Sequence, residues 1–224
     1  MEKFRPTIIL SAAITLDGKI ATYKGDSELS SKHDKVRIHR LRSKIDAILV
    51  GKNTVMRDDP LLTVRHVKGK NPIRIILDSR ATIKSSSKII KTSKKIPTII
   101  AISKKATRKN ILRLQKHPVE VIISGKNSVN IKELLRILKR KKINRILLEG
   151  GGTVNWDFVR RGFVDKAIVT LTPFLVGGKE AITLVEGKGF SKISKSPRLK
   201  LEKIIRHGNE LVLYYSLKHN KKIN

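Results

Sequence analysis

The stretch Ile146-Leu147-Leu148-Glu149-Gly150-Gly151-Gly152-Thr153 runs from apolar residues straight into three glycines, and the amphipathic Asn155-Trp156-Asp157-Phe158-Val159 follows. That order predicts a strand turning sharply into a helix. Such a backbone can approach a ligand closely, and the free N–H groups of the helix start attract anions. One glycine would suffice for a tight turn, so three between Glu149 and Thr153 point to a nucleotide phosphate. Glu149, at the end of a buried strand, could hydrogen-bond a ligand amide or hydroxyl, or tie down the loop. Two further stretches carry similar chemistry. Gly51-Lys52-Asn53-Thr54 offers backbone donors and a hydroxyl to a pyrophosphate, with Asp58 one turn on. Asp58 reads equally well as a helix-start carboxylate favoured by the dipole. Ser79-Arg80-Ala81-Thr82 sets a hydroxyl and a guanidinium where an adenosine 2′-phosphate would lie, a solvated surface arginine being the competing reading.

Other chemistries lack their residues. No GxGxxG follows a strand, which disfavours a standard Rossmann dehydrogenase. HExxH, Cys/His clusters, GxSxG and a Walker A sequence are all missing, so metal hydrolysis, triad chemistry and P-loop phosphoryl transfer have no local support. The six histidines, His33, His39, His66, His117, His207 and His219, show no pair at ligand spacing, and no metal is expected.

The elements that must hold these stretches alternate. Thr7 to Ile14 reads as a strand covered on both faces, ending in the Asp17-Gly18 turn and a small, polar, flap-like loop through Ser27. Ser30 and Ser31 are candidate caps for a helix from about Lys32 to Lys44, with Ile38, Leu41 and Ile45 as its apolar face. Strands are expected at Asp46 to Gly51, Asn71 to Asp78, Thr98 to Ile102, Val119 to Ile123 and Val164 to Leu171. The segment from Gly51 to Pro60 reads as a loop or helix start. Helices are expected near Arg108 to Lys116 and at Ile131 to Leu138, whose apolar residues recur at i, i+3, i+4 and i+7. Leu199 to Ile205 and Glu210 to Tyr215, joined through His207-Gly208-Asn209, predict an antiparallel hairpin. The fold class is α/β, a mostly parallel central sheet flanked by helices with a C-terminal antiparallel hairpin, in a single domain over 1–224 with a basic tail from about 219 to 224. Ligands of such sheets bind outside the carboxyl ends of the strands, where all the candidate stretches fall.

The 224 residues carry 50 Lys and Arg against 18 Asp and Glu, a formal net charge of +32. Nucleic acid is the obvious partner for such a charge. The basic residues are spread along the chain, however, and no segment interleaves them with the 5 Phe, 3 Tyr and 1 Trp. A funnel for a phosphorylated small molecule fits that scatter better than a specific nucleic-acid surface. Lys-rich, Ile-rich, Cys-free usage also suits a thermophile, although such chains usually balance Lys with Glu. With no cysteine and no apolar run approaching a membrane span, the expectation is a cytoplasmic protein without membrane contact.

Taken in order, Thr15 to Ala21, Gly51 to Val55, Asp58-Asp59-Pro60-Leu61-Leu62-Thr63-Val64-Arg65, Ile76 to Arg80 and Glu149 to Thr153 resemble the reductases of riboflavin biosynthesis. That family includes the C-terminal domains of bifunctional deaminase-reductases and stand-alone archaeal and fungal enzymes, all with the dihydrofolate-reductase-like fold. The chain lacks the deaminase zinc motif, so it resembles the stand-alone form. The resemblance implies that NADPH, with NADH left open, delivers hydride to C1′ of the ribose of 2,5-diamino-6-ribosylamino-4(3H)-pyrimidinone 5′-phosphate. It implies that Gly51, Thr54, Asp58, Ser79, Arg80, Ala81, Thr82, Gly150, Gly151, Gly152 and Thr153 hold the cofactor. Ser27, Arg42, Leu62, Arg65 and Glu149 would face the substrate, with Arg65 and Arg42 on its phosphate. Asp58 and Glu149 would polarise the reacting ribose. The chain departs from the bacterial pattern around Glu28-Leu29-Ser30, where those domains often carry a Trp. A homodimer is implied as well. Dihydrofolate reductase, with Asp34 as the acidic residue pairing a pterin, and a basic nucleic-acid-binding protein are the alternatives.

Overall fold

The computed structural model describes residues 4–217, so the basic tail from 219 onward and His219 lie outside the described residues. In chain order the elements are β1 (Thr7–Ile14), β2 (Lys19–Ala21), α1 (Lys32–Arg42), β3 (Ala47–Gly51), α2 (Lys52–Asp58), β4 (Ile73–Leu77), α3 (Lys88–Lys91) and β5 (Thr98–Ile102). They continue with α4 (Arg108–Gln115), β6 (Glu120–Ile123), α5 (Ile131–Arg140), β7 (Arg145–Gly150), α6 (Gly152–Val159), β8 (Lys166–Leu171), β9 (Ile182–Thr183), β10 (Leu199–His207) and β11 (Glu210–Leu217). The chain forms two compact units, one of Met1–Thr7 and Arg37–Leu147, the other of Ile8–Val36 and Leu148–Asn224.

In the first unit β3, β4, β5 and β6 lie side by side, all parallel. Every residue of β3 and β5 is buried, as continuous apolar runs covered on both faces should be. Helix α5 buries Ile131, Leu134, Leu135 and Leu138, the predicted stripe, and Asn130 caps it by accepting from the Glu133 N–H. The β3/β4 register pairs Gly51 with Leu77, so the start of α2 and the turn after β4 leave the sheet side by side.

In the second unit the order is β10-β11-β8-β1. β1 and β8 run parallel, and β11 joins β8 antiparallel. The predicted hairpin closes at His207↔Glu210, with a register shift between Leu201 and Lys203. A two-stranded ribbon of β2 and β9, too short to leave a periodic signal, was not expected. β1 is less enclosed than expected: Ile8, Leu10 and Ser11 are buried but the other positions are only half so.

Helix α1 departs from its predicted face. Ser31 does cap it, accepting from the Asp34 N–H at 3.2 Å. Its buried residues, however, are Asp34 and His39, both 3% exposed, while Ile38 and Leu41 are only half-buried; Ile45, buried as expected, lies just past the helix. The reason is polar satisfaction: Asp34 accepts from the hydroxyls of Thr170 and Ser30, and His39 accepts from a loop N–H.

Candidate functional site

Within the first unit the loop after α2 is the most constrained stretch. Asp59 and Leu62 have φ of 38° and 51°, left-handed values that non-glycine residues rarely adopt and that cluster at functional sites. Several groups hold the loop there. Arg74 reaches the Leu61 carbonyl, Asn71 accepts from the Val64 N–H, and the Asp59 carboxylate accepts from the Lys88 N–H. Leu62 is buried. The predicted substrate arginines meet on one residue: Arg42 donates to the Thr63 carbonyl at 3.1 Å and Arg65 to the Thr63 hydroxyl at 2.9 Å. Desolvation, then the neighbouring Arg42 charge, holds the Arg65 guanidinium below its usual range. Two cations anchored this closely repel one another unless an anion joins them.

His39 completes the cluster. Its Nδ1 accepts from the Arg65 backbone N–H at 2.8 Å, and its ring meets that of His66 edge-on, centroids 4.6 Å apart. Burial first, then the charges of Arg42, His66 and Arg65, push His39 down to about 4. The unfolded chain, near 6.5, therefore takes up a proton before the folded one does. The stability this group contributes is complete above pH 6.5 and is lost as the pH falls towards 4, by up to about 3 kcal/mol at ~1.4 kcal/mol per pK unit. Urea unfolding at pH 7 and pH 4.5 should show wild type losing more than His39→Asn; equal losses would disprove the assignment.

Beside this loop, α2 is a helix over Lys52–Asp58, so of the two readings, loop or helix start, the helix holds, for about two turns. Thr54 lies in its first turn. Asp58 closes the helix rather than starting it, which removes the favourable-dipole explanation of its carboxylate. Desolvation raises the Asp58 carboxyl above its ordinary range, and Arg57 partly offsets this. The Ser79 to Thr82 turn is fixed by Asp78, which accepts from the Ile83 N–H and the Thr82 hydroxyl. Ala81 has φ 56°, its carbonyl accepts from Arg113, and Asn110 holds the Arg80 carbonyl. The Arg80 side chain is left exposed on a rigid frame, as a phosphate-binding arginine needs. The Ser79 hydroxyl accepts from the Val129 N–H, which leaves its own O–H to donate.

In the second unit the triple glycine does form a strand-to-helix junction, with α6 beginning at Gly152. Gly150 needs its freedom at φ 77°. The close approach at Gly152 is to the protein itself: a Cβ there would lie 2.5 Å from the Thr183 carbonyl oxygen and 2.5 Å from the Glu186 side chain. The strap from 183 to 187 lies over the helix start, where Glu186 N–H donates to the Gly152 carbonyl and Thr153 to the Glu186 carboxylate at 2.7 Å. A carboxylate thus already shares the anion-attracting helix start. Glu149 is half-buried at the strand end, and Ser27 is exposed in the loop before α1. The loops after β1 and β8 are tied by Asp17, whose carboxylate accepts from Thr15, Val176 and Gly177 and is lowered to about 2, chiefly by the Thr15 hydroxyl. His39, Arg74 and Glu186 were missed by sequence reasoning. Only His39, three residues before Arg42 and hence on the same helical face, left a signal that could have been used.

In the first unit, Arg80 on its rigid turn and the α2 start beside it present donors of the kind that suit phosphate groups. Among the described residues no group of three or more His, Cys, Asp or Glu could hold a metal, and no helix is long and apolar enough to cross a membrane.

The fold is that of the dihydrofolate-reductase-like α/β proteins: it superposes on dihydrofolate reductase from Enterococcus faecalis with a TM-score of 0.54 at 10% identity, over 95% of this chain and 97% of that one. Within that class the chain belongs to the RibD C-terminal domain family, whose model matches residues 6–213. It is 41% identical over 217 residues to the 2,5-diamino-6-ribosylamino-4(3H)-pyrimidinone 5′-phosphate reductase of Methanothermobacter thermautotrophicus, covering 96% of this chain and 99% of that one. It also superposes, with a TM-score of 0.79 at 26% identity, on a diaminohydroxyphosphoribosylaminopyrimidine deaminase/5-amino-6-(5-phosphoribosylamino)uracil reductase from Thermotoga maritima, covering 96% of this chain and 57% of that one. Family and fold imply a reductase with a nicotinamide nucleotide.

Proposed function

We propose that the chain is a cytoplasmic, NADPH-dependent reductase of 2,5-diamino-6-ribosylamino-4(3H)-pyrimidinone 5′-phosphate, giving the ribitylamino product of riboflavin biosynthesis. The convergence of Arg42 and Arg65 on Thr63 is the observation that carries this reading, since it suits a phosphate dianion, and the Methanothermobacter relative supplies the substrate class. Both units belong to one reductase domain in this reading.

Gly51, Thr54, Asp58, Ser79 to Thr82 and Gly150 to Thr153 would hold the cofactor, with Arg80 on the 2′-phosphate. The nicotinamide, when bound, supplies hydride to C1′. The chain's own residues orient and polarise. Ser27, Leu62 and Glu149 face the substrate. Asp58, whose carboxyl desolvation raises above its ordinary range, and Glu149 would polarise the reacting ribose. Anaerobic titration with NADPH and NADH, followed by turnover of the ribosylaminopyrimidine phosphate, tests the whole reading. Equal affinity for the two would remove the role of Arg80, and turnover of dihydrofolate instead would replace the substrate.

Arg65→Ala should raise the substrate KM about 30- to 150-fold, the loss of one charge-assisted bond of about 2–3 kcal/mol, with the NADPH KM unchanged. Steady-state kinetics with each ligand varied in turn would show it. Equal effects on both KM values would contradict a phosphate role.

A homodimer is part of the proposal. Leu199, Leu201 and Ile204 on β10 are 45–52% exposed, and their cross-strand partners Leu217, Tyr215 and Leu213 share that face. An exposed apolar face on an edge hairpin suits an interface with another chain. A second copy presents the same patch, and light scattering that gave the mass of one chain would refute it.

A further inference from the structure

We propose that His39 is a positioning residue for the substrate-phosphate arginines: its unprotonated Nδ1 holds the Arg65 backbone so that the Arg65 and Arg42 side chains share one anchor. This rests on the reading of Arg42 and Arg65 as the phosphate site. Four residues close a ring. His39 and Arg42 stand three apart on α1, on one helical face. Arg42 donates to the Thr63 carbonyl, Arg65 to the Thr63 hydroxyl, and the Arg65 N–H returns to His39. Arg65 lies beyond the strained Leu62 in a loop with no sheet partner, so its backbone position depends on side-chain acceptors.

The chemistry of the imidazole explains the choice of residue. An acceptor at Nδ1 needs the tautomer protonated at Nε2, and an imidazolium would present N–H to N–H and break the contact. The charges that face the ring, Arg42 on α1 and Arg65 and His66 on the loop, all oppose protonation. The cluster therefore stays assembled down through mildly acidic pH. A hydrophobic residue at 39 would fill the same volume but leave the Arg65 N–H without its acceptor. Asparagine would keep an acceptor oxygen close to where Nδ1 stands.

Steady-state kinetics on the full chain test this with His39→Leu and His39→Asn. His39→Leu should raise the substrate KM at least ~10-fold, the cost of one lost hydrogen bond, with the nicotinamide KM and kcat within about twofold; His39→Asn should recover most of the loss. An unchanged substrate KM in His39→Leu, parallel increases in both KM values, or an asparagine no better than leucine would overturn the proposal. Should His39→Leu fail to fold, nitrogen-15 NMR of the wild-type imidazole at pH 6 decides: a bare Nδ1 supports the role, and a protonated Nδ1 removes it. Arg65→Ala separates the two levels. If it leaves the substrate KM unchanged, the phosphate site itself is misplaced; if it raises the KM while His39→Leu does not, only the positioning role fails.

Discussion

Arg74→Ala should destabilise the protein by about 3–5 kcal/mol, from buried acceptors left unsatisfied at about 1–3 kcal/mol each and from the cavity the side chain leaves. Arg74 is fully buried on β4. Its guanidinium donates to the Thr98 hydroxyl from Nε and Nη2, to the Thr92 hydroxyl and Leu61 carbonyl from Nη1, and to the Ile89 and Ile96 carbonyls from Nη2. Every one of those partners is neutral. Burial pushes the group down to about 10, so it remains a cation at neutral pH, solvated by the protein in place of water. Truncation would leave these acceptors without a donor and open a cavity at the junction of β4, β5 and α3. The planar fork also matters, because a lysine ammonium cannot span hydroxyls and carbonyls in several directions; Arg74→Lys should recover less than half of the loss. Urea unfolding at pH 7 measures both variants. A loss under 1 kcal/mol for Arg74→Ala would show that water replaces the guanidinium at little cost. Because Arg74 also holds Leu61, folded variants should show a raised substrate KM.

Gly152→Val should weaken nicotinamide nucleotide binding by ~100-fold or more, about the value of two backbone donor bonds to phosphate. The new Cβ would stand 2.5 Å from the Thr183 carbonyl oxygen, a backbone atom that cannot rotate away, and as close to Glu186. Either the strap from 183 to 187 or the first turn of α6 must move, and both bear on the helix start proposed for the phosphates. Gly162→Ala is the control: with φ 66° and open space around its Cβ, it should cost about 1 kcal/mol of stability through backbone strain and leave binding unchanged. Fluorescence titration with NADPH on both folded variants tests the pair. Unchanged affinity in Gly152→Val would separate the triple glycine from the cofactor.

The sequence by itself determined the types of the longer elements and roughly where they fall. The apolar runs of β3, β4 and β5, the stripe of α5, the Gly208 turn of the hairpin and the glycines after β7 are all readable because periodicity and backbone freedom are local properties. The ordered motifs also carried the family. What only tertiary structure decided was which groups meet. Asp34 and Thr170 are 136 residues apart, Arg74 and Thr98 are 24 apart, and Thr153 and Glu186 are 33 apart. Asp58 changed from helix start to helix end, and α1 turned a polar face inward, because hydroxyls and a loop N–H from distant segments awaited it there. A side chain's partner is set by where the chain returns, and no local pattern records that.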